Sequence, residues 1–377
     1  MKETKRRKVL AQKMLNLYTA VVIVTALLLV ITIADVTTNR IVSTDTRVKA
    51  VAACILILGA AIGEWVGVIT DGASSSLIML HKISKIAEFC IAPAIGISCA
   101  MAYGIVKRSR LAVTCIIIHA IFQCIAACFE WVFSIDSGNI YHREELYFIY
   151  VAAFVISSGY GFFCVIMTGK EFQTGLDSVV VLTILMIVIG VGIQFIFADI
   201  RIDYLCIAIG NMVLFSRYYK MVLQLDAVTR LLNRRCYEAA VGNISHRAVV
   251  MYFDINRFKN VNDTYGHYIG DVCLRNIADI IRDVYGKAGT CYRVGGDEFC
   301  VIMKTNQNNS EAYIETLNNQ FYDAVKELQN EDRRMPDVAL GYAYYNPDTT
   351  HIQDTIEEAD HMLYSNKESS ANNSADV

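Results

Sequence analysis

The first 225 residues contain seven long apolar stretches, and this pattern limits the possible folds more than any other feature of the chain. The stretches cover residues 14–34, 50–69, 86–106, 111–133, 146–168, 178–198 and 202–221. About 20 apolar residues in a helix are needed to cross the hydrocarbon core of a bilayer. Because most stretches approach or exceed that length, we predict an all-α transmembrane bundle of six to eight spans.

A cleavable signal peptide is the alternative interpretation of the first stretch. Its apolar run is longer than the roughly 7–15 residues of a signal-peptide core, and no clear small-residue cleavage site follows. We therefore interpret residues 14–34 as a helix that is retained in the protein.

The basic residues that flank these stretches favour conflicting orientations. Six basic residues lie between Lys2 and Lys13, and Lys107, Arg108 and Arg110 follow the third stretch. Basic flanks favour the cytoplasmic side of a membrane. With the C-terminal domain also cytoplasmic, seven spans do not satisfy all three conditions. One stretch is not a full span, or another span lies in the 70–85 region, or one basic cluster breaks the rule.

The charge of the chain changes sign near residue 225, as does its composition. Overall, 54% of the residues are hydrophobic and 19% are charged. From Asp226 onward 15 basic residues face 23 acidic ones, a net charge of −8, whereas the earlier part carries 19 and 14, a net charge of +5. An acidic domain binds nucleic acid poorly, so we expect no nucleic-acid partner, and any phosphate ligand should arrive with metal ions.

These changes define four segments. We assign residues 1–201 to a transmembrane sensor region, 202–225 to a last span and helical connector, 226–370 to a soluble domain, and 371–377 to a disordered tail. In the connector, Tyr218, Met221, Val222 and Leu225 form an apolar stripe at helical spacing. This stripe would pair with a second copy of the chain or pack against the soluble domain.

Eight of the 12 cysteines lie in the apolar half, where we interpret them as buried packing residues rather than disulfide partners. The set Cys115, His119, Cys124 and Cys128 matches no closed zinc pattern, and structural packing explains it better.

A few ionisable residues also fall in or beside the apolar stretches. Such groups are costly in lipid and often mark a ligand or proton sensor, although pairing inside the bundle explains them equally well. The residues are Glu64, Glu88, His119 and Glu130.

The soluble part shows alternating strand and helix patterns. Strands are predicted over residues 248–255, 291–294, 298–303 and 338–345. Helices are predicted over 272–285, 310–330 and from 352 onward, with a further helix at the start. The order β-α-β-β-α-β predicts an α+β fold with an antiparallel sheet, ferredoxin-like and similar to the palm of polymerases.

An unusual acidic pair stands at the tip of the central hairpin. In RVGGDEFCVIM, residues 293–303, Asp297 and Glu298 directly follow two glycines, and Asp254 closes the neighbouring buried strand. Carboxylates brought together repel one another, and one of them would take up a proton unless a cation is present. Mg²⁺ prefers oxygen ligands of this kind. The pattern therefore predicts a magnesium site.

The segment DINRFKNVNDTYGHYIGD, residues 254–271, offers groups for a nucleotide. Lys259 and exposed backbone amides on a short turn suit phosphate. Asn262 and Asp271, where a helix is predicted to begin, offer the donor and acceptor edges that guanine requires. Each residue also has a purely structural explanation, with Asn262 as a turn former and Asp271 as a helix N-cap.

Four segments together resemble the GGDEF-domain diguanylate cyclases, in the family's order and with its approximate spacing. They are DAVTRLLNRR, DINRFKNVNDTYGHYIGD, RVGGDEF and EEADHMLYSNK, within residues 226–370. The resemblance implies an enzyme that joins two GTP molecules into cyclic di-GMP and releases pyrophosphate. It implies a homodimer, two Mg²⁺ ions for which Mn²⁺ substitutes, and a multi-pass protein in the lipid bilayer of the cytoplasmic (inner) membrane with its C-terminal domain in the cytoplasm.

The resemblance also implies a role for each matching position. Asp254 and the backbone carbonyl of Ile255 match metal ligands, Asp297 matches the metal-binding acid that accepts the hydroxyl proton, and Glu298 supports the metal. The catalytic set is Asp297, Glu298 and Lys259. The substrate-binding set is Phe258, Lys259, Asn262, Asp271 and Lys367, with Lys259 and Lys367 at phosphate and the pair Asn262 and Asp271 at guanine.

Three positions depart from the family pattern. Asn256 replaces a common Asp that is not a direct ligand. Thr229-Arg230-Leu231 replaces the usual Thr-Gly-Leu, which leaves the conformation of that turn open. Residues 286–289 lack the Arg-x-x-Asp motif of the product-inhibition site, so we predict weak feedback inhibition by cyclic di-GMP.

Two other functions compete with catalysis. An inactive GGDEF domain can serve as a GTP-binding signalling receptor, but such domains usually have altered acids at the metal site. A transporter with a regulatory domain would need a substrate path through the helical bundle. The apolar stretches contain few charged residues and no evident inverted repeat, which disfavours a transporter.

Overall fold

The computed structural model describes residues 2–104, 109–173, 178–197, 200–305 and 311–373, in two compact units that divide between Val222 and Leu223. Lys107, Arg108 and residues 374–377 therefore lie outside the described residues. The helices of the first unit are α1 (Lys2–Thr38), α2 (Thr44–Thr70), α3 (Ile78–Tyr103), α4 (Ser109–Cys128), α5 (Tyr147–Glu171) and α6 (Ser178–Ile196). Helix α7 (Asp203–Gln224) crosses the division, and a short hairpin of β1 (Phe133–Ile135) and β2 (Tyr141–Arg143) joins α4 to α5.

Five helices of this unit are long and apolar enough to cross a membrane. They cover Gln12–Thr38, Thr44–Thr70, Ser75–Tyr103, Ser109–Cys128 and Tyr147–Glu171, and Ser178–Gln194 is a shorter apolar helix. The 70–85 region contains a 3-10 turn at Ser75–Leu77 and the start of α3, so it holds no additional span. The number of six to eight spans stays a prediction.

Helices α3 and α5 approach each other closely through glycine. A side chain at Gly96 would place its Cβ 2.6 Å from the carbonyl oxygen of Ser157, and one at Gly161 would lie 2.6 Å from that of Gly96. Small residues at such crossings are typical of membrane helices, because packing rather than hydrophobic burial holds the helices together in lipid.

The second unit is an α+β domain. Its helices are α8 (Arg234–Gly242), α9 (Phe258–Tyr265), α10 (His267–Tyr285), α11 (Glu311–Glu331) and α12 (Ile352–Asn373). Its strands are β3 (Ala248–Ile255), β4 (Gly289–Arg293), β5 (Glu298–Lys304) and β6 (Val338–Tyr345). They form one antiparallel sheet in the order β4-β5-β3-β6, which confirms the predicted ferredoxin-like, palm-like fold.

Side chains alternate between the two faces of the sheet along β3, so the hydrophobic core and the candidate site lie on opposite faces. Val249, Met251 and Phe253 are fully buried and pack with residues of α10 and α11, including Ile277 and Phe321. Successive side chains of a strand point to opposite faces. Asp254 therefore lies on the other face of the sheet, which α12 covers.

Several helices differ from the sequence prediction. Helix α10 begins at His267 rather than at residue 272, because Gly266, at φ 82°, ends α9 and starts α10 in one step. Helix α9 is an additional short helix that starts directly after Arg257, in a left-handed conformation that the sequence pattern does not indicate. Helix α12 extends to Asn373, into the first residues of the predicted tail, because no glycine or proline interrupts it.

Candidate active site

The three predicted acids meet at one end of strands β3 and β5. Asp254 lies directly opposite Glu298 in the antiparallel register. The backbone N–H of Ile255 donates to the carbonyl oxygen of Asp297 at 3.3 Å. The sheet therefore brings together acids that are distant in the sequence.

The glycine turn before these acids has a steric reason. The N–H groups of Val294 and Gly295 both donate to the carbonyl oxygen of Glu298, at 3.0 and 3.3 Å. A Cβ at position 295 would lie 2.3 Å from Oε2 of Glu298. Glycine at this position therefore leaves room for the glutamate carboxylate beside the turn.

Lys367 of α12 supplies the positive charge next to the acids. Its Nζ lies 2.6 Å from Oδ1 of Asp254, and the aspartate side chain is only 10% exposed. Burial raises the pKa of Asp254, the lysine ammonium opposes this rise, and the Asp297 and Asp360 carboxylates add to it. The pKa of Glu298 is also raised, first by burial and then by the negative charges of the Asp254 and Asp297 carboxylates. Both acids therefore sit where a cation stabilises their charged forms.

Sequence reasoning missed Asp360. This exposed acid on α12 adds to the negative potential at both Asp254 and Glu298. A signal was available in EEADHMLYSNK, because Asp360 and Lys367 are seven residues apart and so lie on one face of a helix. The spacing alone did not show that this face meets the end of β3.

The phosphate and guanine residues lie on α9 and α10. Lys259 is exposed in the first turn of α9, which corrects its predicted place on a turn, because the helix starts directly after Arg257 in the left-handed conformation (φ 53°). No side chain caps this helix start, and although the N–H of Asn260 bonds the carbonyl oxygen of Arg257, the N–H groups of Phe258 and Lys259 face the helix N-terminus, where anions bind favourably. Phe258, the first residue of α9, packs against the core.

Asn262 and Asp271 are brought close by a glycine. A Cβ at Gly270 would lie 2.0 Å from Oδ1 of Asn262, so the asparagine side chain lies over the residue that precedes Asp271. Asp271 is the fifth residue of α10, and Gly266 rather than Asp271 is its N-cap. In the part of the chain that the structure describes, no hydrogen bond or ion pair links Lys259, Asn262 or Asp271 to the acids.

A cavity of about 560 Å³ adjoins the site and is bounded by α9, the end of α11 and the loop before β6. Lys367 is the one predicted site residue that lines it, together with Asn256, Arg257 and Asp337.

The oxygen atoms predicted to bind a metal are of the kind that suits a hard divalent cation. Carboxylate oxygens and a backbone carbonyl are the ligands that Mg²⁺ accepts, and an ammonium ion already lies on Asp254. Among the described residues, no three His, Cys, Asp or Glu side chains converge in a geometry that would hold a metal ion.

An ion pair between Arg293 and Asp226 links the β4–β5 hairpin to the start of the domain. Arg293 donates to Oδ1 of Asp226 at 2.9 Å and to the carbonyl oxygen of Gly296 at 2.7 Å. Asp226 also accepts from the N–H and hydroxyl of Thr229, at 2.9 and 2.8 Å. Arg230 takes the left-handed conformation at φ 62°, so the turn in which the family usually has glycine forms here with arginine.

Replacing Asp226 with Asn is expected to lower the free energy of unfolding of the domain by about 2 kcal/mol at pH 7, since it weakens charge-assisted bonds around a buried arginine. For about 150 residues this corresponds to a fall in Tm of roughly 6 °C. Burial opposes ionisation of Asp226, but the bonds from Thr229 and Arg293 prevail and hold its pKa below its usual range.

A depressed folded-state pKa gives stability that is present above the unfolded-state pKa and lost as the pH falls through the folded-state value. The difference between wild type and Asp226→Asn should therefore shrink below about pH 4, as thermal unfolding would show. Asp348→Asn is the matched control, because its ion pair with Arg247 is exposed and contributes little. An equal loss in both variants would contradict the assignment.

The ionisable residues of the membrane region are mostly paired, as their structural explanation predicts. Glu64 accepts from Tyr18 at 2.6 Å and from Arg201 at 2.9 Å, and Glu88 lies 2.8 Å from Lys85. His119 bonds the carbonyl oxygen of Phe89 and lines a cavity of about 890 Å³ between α4 and α5. Glu130 is exposed, 3.6 Å from Lys82.

All 12 cysteines are free thiols in the structure. Cys115, Cys124 and Cys128 are exposed on α4 rather than buried, because α4 packs through its other face. They lie where a membrane-spanning helix would meet lipid.

Comparison with known proteins identifies the second unit. Residues 223–373 match the family described as "Diguanylate cyclase, GGDEF domain". Protein YhcK of Bacillus subtilis is 30% identical over 43% of this chain and 48% of its own length. Diguanylate cyclase A of Treponema denticola is 32% identical over 33% of both chains, and diguanylate cyclase DgcS of Shewanella oneidensis is 31% identical over 41% of this chain and 54% of its own. The chain spans about half or less of these relatives.

Among solved structures, the GGDEF domain of DgcB from Caulobacter crescentus in complex with c-di-GMP is similar to this chain. It is 28% identical, with a TM-score of 0.33, over 39% of this chain and 91% of its own.

Proposed function

Since residues 223–373 of this chain are a GGDEF domain with diguanylate cyclase homologues, we propose that the protein condenses two GTP molecules into cyclic di-GMP. The observation that carries this proposal is the meeting of Asp254, Asp297 and Glu298 at one end of the sheet, with Lys367 beside them. Relatives that lost catalysis usually lack part of this acidic set, whereas all three acids are present here.

In the proposed reaction, the 3′-hydroxyl oxygen of each GTP attacks the α-phosphorus of the other. A new O–P bond forms, the bond to the β-phosphate oxygen breaks, and pyrophosphate leaves; two such steps close the ring. Asp297 takes the hydroxyl proton, and the start of α9 with Lys259 and Lys367 holds the phosphates. Asn262 and Asp271 hold guanine. Because each domain binds one GTP, two subunits must face each other for the reaction to occur. Formation of the dimer therefore controls the reaction.

The residues that would hold Mg²⁺ are Asp254, the carbonyl of Ile255, Asp297 and Glu298. When bound there, the metal stabilises negative charge on the attacking and leaving oxygens. The protein contributes the carboxylates of Asp254 and Glu298, which the sheet register places opposite each other at one end of β3 and β5.

A dimerised fragment provides the direct test. Residues 218–377, fused to a dimerising helix, should convert GTP with Mg²⁺ into cyclic di-GMP, detected by mass spectrometry, with two pyrophosphates per product. Asp297→Ala should make none. A wild-type fragment that binds GTP yet makes no product would overturn the enzyme and favour a GTP-binding receptor.

We also propose that the membrane region controls the enzyme through α7. The buried Glu64 accepts hydrogen bonds from Tyr18 of α1, Gln194 of α6 and Arg201, two residues before α7. Buried ionic junctions of this kind in a membrane bundle are costly and often functional. Helix α7 then runs without interruption to Gln224, two residues before the Asp226 turn. Helix α7 therefore connects Arg201 to the start of the catalytic domain along the chain.

A topology with residue 45 and the C-terminal domain in the cytoplasm, and with residues 75 and 140 outside, accounts for the packing. The hydroxyls of Thr46 and Tyr218 lie 3.3 Å apart, so the start of α2 and the end of α7 share one side of the bundle. Glu64 and Arg201 meet at the other side. The N-terminal basic cluster is then the one that breaks the positive-inside rule.

Reporter fusions after residues 45, 75, 140 and 377 test this topology. We expect cytoplasmic signals at 45 and 377 and external signals at 75 and 140. An external signal at 377 would rule out a cyclase that uses cytoplasmic GTP, and a cytoplasmic signal at 75 would contradict the arrangement of α2.

A further inference from the structure

Lys367 pairs with Asp254, one of the carboxylates that would hold the metal ion of the proposed enzyme. Its Nζ lies 2.6 Å from Oδ1 of Asp254, whose side chain is 10% exposed, while the lysine itself is 35% exposed. A carboxylate oxygen that holds an ammonium ion at this distance has its charge already paired. A divalent cation that needs the same oxygen therefore competes with the lysine.

The framework holds Lys367 in this place. Helix α12 approaches β6 so closely that a Cβ at Gly341 would lie 2.3 Å from the carbonyl oxygen of Ala359. The side-chain amide of Asn366 donates to the carbonyl oxygen of Leu340 at 2.8 Å. Residue 367 follows this anchored asparagine directly, so its backbone is fixed while its long side chain can still turn.

The charge around the lysine is unbalanced. The carboxylates of Asp254, Asp297, Glu298 and Asp360 interact with one another, and Lys367 forms the one ion pair with this group in the described part of the chain. A nucleotide triphosphate brings more negative charge than the single Asp254 carboxylate. Phosphates bound beside α9 would therefore attract the ammonium toward the adjoining cavity, which Lys367 also lines.

We propose that Lys367 acts as a stand-in cation that holds Asp254 in the nucleotide-free protein and moves to the phosphates when GTP binds, which releases Asp254 for the metal. This inference rests on the proposed function and deepens it. Metal and nucleotide then bind with positive coupling, and by thermodynamic reciprocity each raises the affinity for the other by the same factor. The empty site binds divalent metal weakly, so metal does not occupy the acids before substrate arrives.

The test measures Mn²⁺ binding to the full-length protein in lipid nanodiscs, by electron paramagnetic resonance of free Mn²⁺, without nucleotide. Lys367→Met should bind Mn²⁺ at least about tenfold more tightly than wild type, because one positive charge no longer competes. Lys326→Met, which removes the same charge from an exposed position of α11, should leave the affinity unchanged. Asp254→Asn should remove the site, and Lys367→Arg should keep binding weak.

A second measurement adds a GTP analogue with a methylene group between the α- and β-phosphates. The analogue should tighten Mn²⁺ binding to wild type and have little effect on Lys367→Met. Equal Mn²⁺ affinity of Lys367→Met and wild type without nucleotide would overturn the inference, as would equal coupling in both proteins.

The two proposals fail separately. If the dimerised fragment makes cyclic di-GMP while Lys367→Met gains no Mn²⁺ affinity, the stand-in role alone is wrong. If Lys367→Met gains affinity but the fragment makes no product, the enzyme proposal falls and the competition between lysine and metal is upheld.

Discussion

Replacing Asp254 with Asn is expected to lower the rate of cyclic di-GMP synthesis by about a thousandfold or more. Asparagine keeps the shape of the side chain and one oxygen but loses the charge that a divalent cation needs. It also leaves Lys367 without its partner, in a position where the lysine would repel an incoming metal ion. Product formation from GTP by the dimerised fragment measures the effect.

The control for this variant is Asp263→Asn. Asp263 is an exposed acid on α9, outside the acidic group, and the same substitution there should leave the rate within about twofold of wild type. Thermal unfolding checks that both variants are folded. A rate for Asp254→Asn within tenfold of wild type would show that the metal is held elsewhere.

The strands of the domain could be predicted from the sequence because each is a short apolar run between clear turn signals. The bounds of β3 and β6 are confirmed at residues 248–255 and 338–345, whereas β4 begins two residues before its predicted start. Helix α9 was missed because its start depends on one residue, Arg257, in a left-handed conformation that arginine does not signal. Local propensity therefore located the sheet better than the short helix beside it.

The acids of the candidate site could also be predicted, since the glycine turn and the strand end each mark a position at the same edge of a sheet. The pairing of Lys367 with Asp254 could not, because it depends on how closely α12 packs on β6 at Gly341. That distance is set by tertiary packing and leaves no periodic pattern. The same reason explains why Asp360 went unnoticed.

In the membrane region, hydropathy located the helices but did not resolve their orientation. The basic clusters, considered one at a time, favour orientations of the bundle that are not compatible with one another. Contacts between distant helix ends, such as Thr46 with Tyr218, show which ends share one side of the bundle. Such contacts join residues far apart in the chain, so no local pattern encodes them.

Replacing Asp271 with Ser is expected to lower the preference for GTP over ATP by at least about a hundredfold. A carboxylate accepts two hydrogen bonds side by side, and the guanine edge with N1–H and the N2 amino group offers two donors. Adenine lacks this pair of donors, so a buried or half-buried acid facing it would be left without partners. Asp271 is half-buried on α10, next to Gly270, over which the Asn262 side chain lies.

The comparison of kcat/KM for GTP and ATP measures this change, with Asp283→Ser as the matched control on the same helix. Asp283 is exposed near the end of α10, so its loss should alter neither substrate. A serine has a single hydroxyl and can donate as well as accept, so it removes the discrimination against adenine as well as the attraction for guanine. If Asp271→Ser instead loses activity with both nucleotides while the ratio stays constant, Asp271 supports the fold of α10 and the base is selected by other residues.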